Sequence, residues 1–92
     1  MKKTTVIHIR DATGSCEEVY IGRGSPFGNP IKLIKEADRM AVIEEYRRYL
    51  LFHPELVEMA KSELKGKTLV CYCKPKPCHG DLLAKIANGE DW

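Results

Sequence analysis

No run of apolar residues in the chain approaches the roughly 18 that a membrane-spanning helix needs. The first ten residues, MKKTTVIHIR, are basic, but they hold neither the apolar stretch of about 7–15 residues nor the small-residue cleavage site of a secretory signal. The sequence therefore reads as a cytoplasmic protein with no membrane partner. It also lacks a dominant charge. Fifteen basic residues stand against 13 acidic ones, for a net charge of +2. They are spread evenly, with seven of each sign in residues 1–46 and eight against six in residues 47–92. A protein that coats DNA carries a prevailing basic face, so this balance argues against one and keeps nucleic acid as a secondary partner only. Internal repeats, low-complexity segments and long linkers are absent, which excludes collagen-like and coiled-coil rods. With 92 residues there is room for one modest core, so residues 1–92 are read as a single domain.

What is present is ordinary globular material, 43% hydrophobic and 30% charged. Residues 4–10, TTVIHIR, are β-branched and apolar and predict a first strand. A turn around Gly14 leads to a short second strand over residues 18–21, so a hairpin with two antiparallel strands is expected. Residues 22–30 carry three glycines and two prolines, a density that excludes helix and strand interior. Val42, Ile43, Tyr46, Tyr49 and Leu50 then recur at helical spacing over residues 38–52, with Asp38 as N-cap. Pro54 opens a second helix, whose stripe is Leu56, Val57, Ala60 and Leu64 and which Gly66 ends. Residues 68–73, TLVCYC, predict a strand that can lie parallel to the first through the helical crossover. A last helix is expected from His79 to Ala87. The order β-β-α-α-β-α implies a small α/β fold, a mixed sheet of about three strands covered by about three helices. Ligands of such sheets sit at the carboxyl ends of parallel strands.

The four cysteines are Cys16, Cys71, Cys73 and Cys78, and three of them crowd into eight residues ahead of His79. Without a secretory context, such crowding points to thiol chemistry or metal binding rather than to disulfides. In the first reading, Cys78 and His79 open a helix, where free amides, the dipole and the lysines at 74 and 76 would lower a thiol pKa. Cys73 at the strand end supplies the second thiol, His79 a base or an oriented cation, and Asp81 orients His79 or complements the dipole. In the second reading, Cys73, Cys78 and His79 hold zinc. Against it, thiols two residues apart on a strand lie roughly 6.5–7 Å apart, and neighbouring Cys78 and His79 do not readily face one ion. In the plainest reading, Cys71 is a small core hydrophobe. No other cofactor is implied.

The glycine-rich loop offers a second constellation. Arg23 presents a planar fork for phosphate or carboxylate, and Gly24 lets the backbone approach a ligand. Ser25 and Asn29 add neutral hydrogen bonds, and Phe27 either stacks on a base or packs inward. The spacing fits neither the dinucleotide fingerprint nor the P-loop. Arg10, at the end of the first strand, points toward the same crevice, while His8 reads as a satisfied structural histidine. Tyr46 and Tyr49 read as packing residues and Cys16 as incidental.

Three segments taken together resemble a small family of bacteria, archaea and phages, domain of unknown function 4326. They are residues 6–10, residues 20–25 (YIGRGS) with 28–30 (GNP), and residues 69–83 with Cys-x-Cys and Pro-x-x-Cys-His. Where the family's pattern has Trp between the first two cysteines, this chain has Tyr72. The resemblance marks the two motifs as a site without fixing its chemistry, and phage occurrence associates it with nucleotide metabolism or host interference. The expectation is thus a small anionic, nucleotide-like or phosphorylated ligand held by Arg10, Arg23, Gly24, Ser25 and Asn29, with Cys73, Cys78 and His79 as candidate catalytic groups. The alternative is an interaction module for a host protein or nucleic acid, zinc-stabilised or metal-free. A short sheet is also compatible with a homodimer.

Overall fold

The computed structural model describes residues 3–22, 24–28, 35–72 and 76–92. The strands are β1 (Thr5–His8), β2 (Glu18–Tyr20) and β3 (Thr68–Cys71), and the helices are α1 (Arg39–Leu51), α2 (Pro54–Glu63) and α3 (His79–Ala87). Short 3-10 turns, Ile9–Asp11 and Glu36–Asp38, follow β1 and precede α1. The expected α/β class and element order are therefore present, and α3 has the bounds predicted for it. Among the described residues no helix is long and apolar enough to cross a membrane.

The pairing differs from the expected hairpin. The sheet order is β1-β3-β2, and both pairings are parallel, so the described sheet is not mixed. The connector 9–17 is longer than the two to five residues of an ordinary hairpin loop. It carries the chain past the position that β3 later fills. Strand β3, the most apolar of the three, then has a neighbour on each side and leaves the edges to β1 and β2. Strand β1 is also shorter than predicted. The Arg10 amide donates to His8 Nδ1 at 3.0 Å and turns the backbone into the 3-10 segment.

Residue alternation across the sheet divides it into two faces. Val6, Leu69 and Val19 lie in register, and this row packs into the core. Cys71, two residues beyond Leu69, continues it. The neighbouring row is Ile7, Val70 and Tyr20. Helix α3 lies against β1 and β3 and buries Leu82, Leu83, Ile86 and Ala87. Each of its large aliphatic side chains contributes about 1.5–3 kcal/mol by leaving water. Helix α1 adds buried Tyr46 and Leu50, and α2 adds Ala60, with Leu64 just beyond its end. Asp38 occupies the N-cap position of α1, although its carboxylate makes no capping bond.

At the amino end of the sheet, Thr4 is the one polar residue in the described core. Its hydroxyl donates to the Leu64 carbonyl (2.7 Å) and accepts from the Gly66 amide (2.9 Å). Its backbone exchanges two bonds with the Asn88 side chain, at 2.8 and 3.0 Å. One residue thus joins the start of β1 to the ends of α2 and α3.

Candidate functional site

Because all three strands run the same way, their carboxyl ends lie along one edge of the sheet. The chain leaves β2 there through Ile21, whose amide still donates to the Val70 carbonyl at 3.0 Å. The glycine loop starts on the next residue. Tyr20 folds back over it, so that a Cβ at Gly22 would fall on the Tyr20 hydroxyl. Turns close the loop internally: the Ser25 amide and hydroxyl both donate to the Gly22 carbonyl (3.1 and 2.7 Å), and the Gly28 amide donates to that of Ser25 (3.1 Å). Phe27 packs into the core, and its carbonyl accepts from the buried Tyr46 hydroxyl at 2.7 Å. Desolvation raises the pKa of that hydroxyl.

Helix α3 starts at the same edge. His79 places Nε2 at 2.7 Å from the Ile21 carbonyl and sets its ring edge-on to Tyr46, with centroids 5.1 Å apart. If that nitrogen carries the ring proton, it donates to the carbonyl; the bond is geometric support for this tautomer. Asp81 accepts from the Cys78 amide at 3.1 Å while its own amide donates to the Cys78 carbonyl at 3.0 Å. Its carboxylate therefore caps the helix and complements the dipole. Gly80 is required by close packing, since a Cβ would come within 2.6 Å of Ile21 Cδ1 and 3.2 Å of both Cys78 Sγ and Val6 Cγ1. Arg39, at the start of α1, donates to the Pro77 carbonyl at 3.1 Å and ties the approach to α3 in place.

The two motifs thus meet, with His79 as their link. Cys78 does not have the predicted surroundings of a reactive thiolate. It is buried, and its Sγ lies 3.4 Å from Cys71 Sγ. That hydrogen bond first, and desolvation second, push its thiol pKa up, where the sequence predicted it lowered. The Gly80 amide in the first turn of α3 pulls the other way, but the Cys71 thiol and burial outweigh it. Cys71 is a core residue, as the plainest reading had it, and it is also the thiol partner that sequence reasoning assigned to Cys73. Cys73, Arg23 and Asn29 lie outside the described residues. Gly24 and Arg10 are exposed, and Ser25 spends its hydroxyl proton within its own loop. For the zinc alternative, His79 has Nε2 engaged by Ile21, and no group of three or more His, Cys, Asp or Glu is placed to hold a metal among the described residues. Cys16 is exposed.

Sequence reasoning did not single out the aromatic residues at this edge. Tyr72, just past β3, lies between His8 and Tyr20. Its ring centroid is 6.3 Å from that of His8 and 6.2 Å from that of Tyr20, with interplanar angles of 83° and 86°. A separate concavity of about 430 Å³, lined by Arg47, Leu51, Lys61, Ile86 and Trp92 among others, opens toward the other end of α3.

The chain matches the family model "Domain of unknown function (DUF4326)" over residues 7–89. It is similar to an uncharacterized 12.4 kDa protein in the nrdA-td intergenic region of Enterobacteria phage T4. The two are 40% identical over 75 residues, which cover 77% of this chain and 68% of the phage protein. No solved structure matches. Family model and phage relative together span both motifs and all but the ends of the fold, and the chain belongs to the DUF4326 family.

Proposed function

We propose that the protein binds a nucleotide-like or phosphorylated ligand at the carboxyl edge of its sheet, between the glycine loop and the start of α3. The observation that carries this reading is the 2.7 Å contact between His79 and the Ile21 carbonyl. It draws two motifs far apart in sequence to the place where parallel α/β sheets bind ligands. Arg10 and Arg23 are assigned to the anion by charge and Gly24 and Asn29 by hydrogen bonds, while Ser25, whose amide and hydroxyl both donate to the Gly22 carbonyl, shapes the loop. His79 holds the two segments together. Cys78 has a structural part in this reading, paired with Cys71 beneath the edge, and no nucleophilic one.

The test is thermal unfolding with inorganic phosphate, ribose 5-phosphate or adenosine 5′-monophosphate. Binding to the folded state alone raises stability by about 2.7 kcal/mol at a ligand concentration 100 times Kd. A rise with at least one phosphorylated compound, lost in Arg23→Ala, is expected. No shift with any of the three at concentrations up to about 10 mM, where even a Kd of 1 mM would register, overturns the reading.

A further inference from the structure

We propose that His8, Tyr72 and Tyr20 form a stacking surface for a nucleobase. This rests on the ligand reading above and narrows it, since a base is then part of what the site recognises rather than a phosphate alone.

The surface follows from the topology. Strand order β1-β3-β2 sets the ends of three parallel strands side by side, and each supplies one ring: His8 from β1, Tyr72 from just beyond β3, Tyr20 from β2. Side-chain alternation puts Tyr20 in the Ile7–Val70–Tyr20 row, opposite the row that packs on the helices, and Tyr72 two residues past Val70. His8 is in register with Cys71 in the other row, and its ring meets Tyr72 where β1 ends and turns into the 3-10 segment. Neither tyrosine is consumed by the core. Tyr72 is 63% exposed and Tyr20 38%. Adjoining exposed aromatic rings mark a binding surface more often than an isolated apolar residue does.

The rings are also held in place. Both neighbours meet Tyr72 nearly perpendicularly, at 83° and 86°, the edge-to-face arrangement that aromatic quadrupoles favour. His8 is fixed from the other side, because its Nδ1 accepts the Arg10 amide proton at 3.0 Å. Tyr20 is fixed by lying over Gly22, where no side chain competes for the space. A flat ligand would therefore meet π-surface whose orientation is already set, with little side-chain entropy to lose.

The charges nearby suit a phosphate attached to that base. Arg10 is exposed two residues beyond His8. Past Tyr72 the next described lysine is Lys76, which is exposed, whereas Lys65 and Lys67 precede β3 and lie at the opposite end of the sheet. Asp11 shares the turn with Arg10, whereas Glu18 is at the far end of β2 with its carboxylate on the amides of residues 13 and 14. Base stacking beside cationic groups is the chemistry by which proteins hold nucleotides and single strands.

The experiment compares adenosine 5′-monophosphate with ribose 5-phosphate by titration calorimetry on the native chain, Tyr72→Ala and Tyr72→Phe. Circular dichroism confirms the fold of each variant. Tyr72→Ala should weaken the nucleotide roughly 5- to 100-fold, the worth of one stacked base. It should leave ribose 5-phosphate unchanged, and Tyr72→Phe should keep both ligands within about twofold, since its ring still stacks. Equal affinity for the two ligands in the native chain, unaltered by Tyr72→Ala, overturns the stacking surface and leaves the phosphate site standing. Binding of neither ligand overturns both. An oligothymidylate about eight nucleotides long separates the sources of the base. Tighter binding than the mononucleotide, falling steeply with salt, identifies a strand, and affinity no greater than the mononucleotide's identifies a free nucleotide. Either result, with the Tyr72→Ala loss, supports the surface.

Discussion

At the amino end of the sheet, Thr4 is buried, and its hydroxyl and both backbone groups are engaged by Leu64, Gly66 and Asn88. At the carboxyl end, less than 20 Å away along strands of four residues or fewer, aromatic rings stand partly in water. There a glycine loop and a helix start are joined through one histidine. Polar groups at the first end have their partners inside the molecule. At the second, the hydrogen bonds fix the frame (Ile21, His79, Phe27, Tyr46), while the rings and Arg10 face outward. The contrast separates holding the fold from meeting a ligand. Stability should be lost mainly by changes at the amino end and in the frame, and recognition by changes on the exposed rings.

The largest stability effect is expected at Thr4. Replacing it with Val keeps the shape but removes the hydroxyl, leaving the Leu64 carbonyl and the Gly66 amide without that partner. The Leu64 carbonyl keeps the Lys67 amide and the Gly66 amide loses its partner, so with two hydrogen bonds lost at about 1–1.5 kcal/mol each Thr4→Val should lose about 2–3 kcal/mol. In a domain of this size that lowers Tm by roughly 10–15 °C. Ligand affinity at the opposite edge should not change. A shift smaller than about 2 °C would mean that the amino end is held by apolar packing alone.

A smaller loss is expected at Tyr46, where the frame of the carboxyl end meets the core. Tyr46→Phe keeps the ring against His79 and removes the hydroxyl that the Phe27 carbonyl accepts from. The cost should be about 1–2 kcal/mol, with amide exchange rising first in residues 25–28 and not at Thr4. Uniform acceleration throughout the chain would show that the loop opens only by global unfolding and would blur the separation of the two ends.

Much of this plan was legible in the residues themselves. Runs of β-branched and apolar residues located the strands and the 3.6-residue period located the helices, because both signals are local. The pairing was not local. A hairpin was inferred from the adjacency of β1 and β2 in sequence, whereas β3, 63 positions beyond β1 and 50 beyond β2, takes the place between them because it is the segment most in need of cover on both sides. The Thr4 bonds join residues 60 and 84 positions apart, and nothing in either segment announces them. At the site, a crevice shared by the glycine loop and the Cys78–His79 junction was expected, but the expected hairpin would have sent the loop after β2 to the other edge, and only the parallel β2 brings the two together. The bounds of α3 followed from local signals. The character of Cys78 did not, because helix position argued for a thiolate while the side chain's direction, toward Cys71, was set by packing. The Tyr72 signal was present in the alternation of Cys71, Tyr72 and Cys73. Which face that tyrosine shares depends on which side the helices cover, and no single strand records that.

The smallest effect belongs to Glu18, and it tests how far the closed end extends. The Glu18 carboxylate accepts from the Thr13 amide at 2.9 Å and the Gly14 amide at 2.8 Å, pinning the connector between β1 and β2. The Thr13 amide is the leading cause of a pKa below the ordinary 4.5. A carboxyl whose folded pKa is depressed adds stability that is present above its unfolded pKa and fades as pH falls through the folded one. Glu18→Gln should therefore be slightly less stable than the native chain near neutrality, and the gap should close as pH drops below 4.5. Its bonds lie at the surface, so water competes for them, and the gap should be well under that of Thr4→Val. Paired thermal melts of the two chains across this range check it. A gap that is independent of pH would assign the effect to packing rather than charge. A gap as large as that of Thr4→Val would make the exposed connector, and not the buried threonine alone, the element that fixes the parallel arrangement.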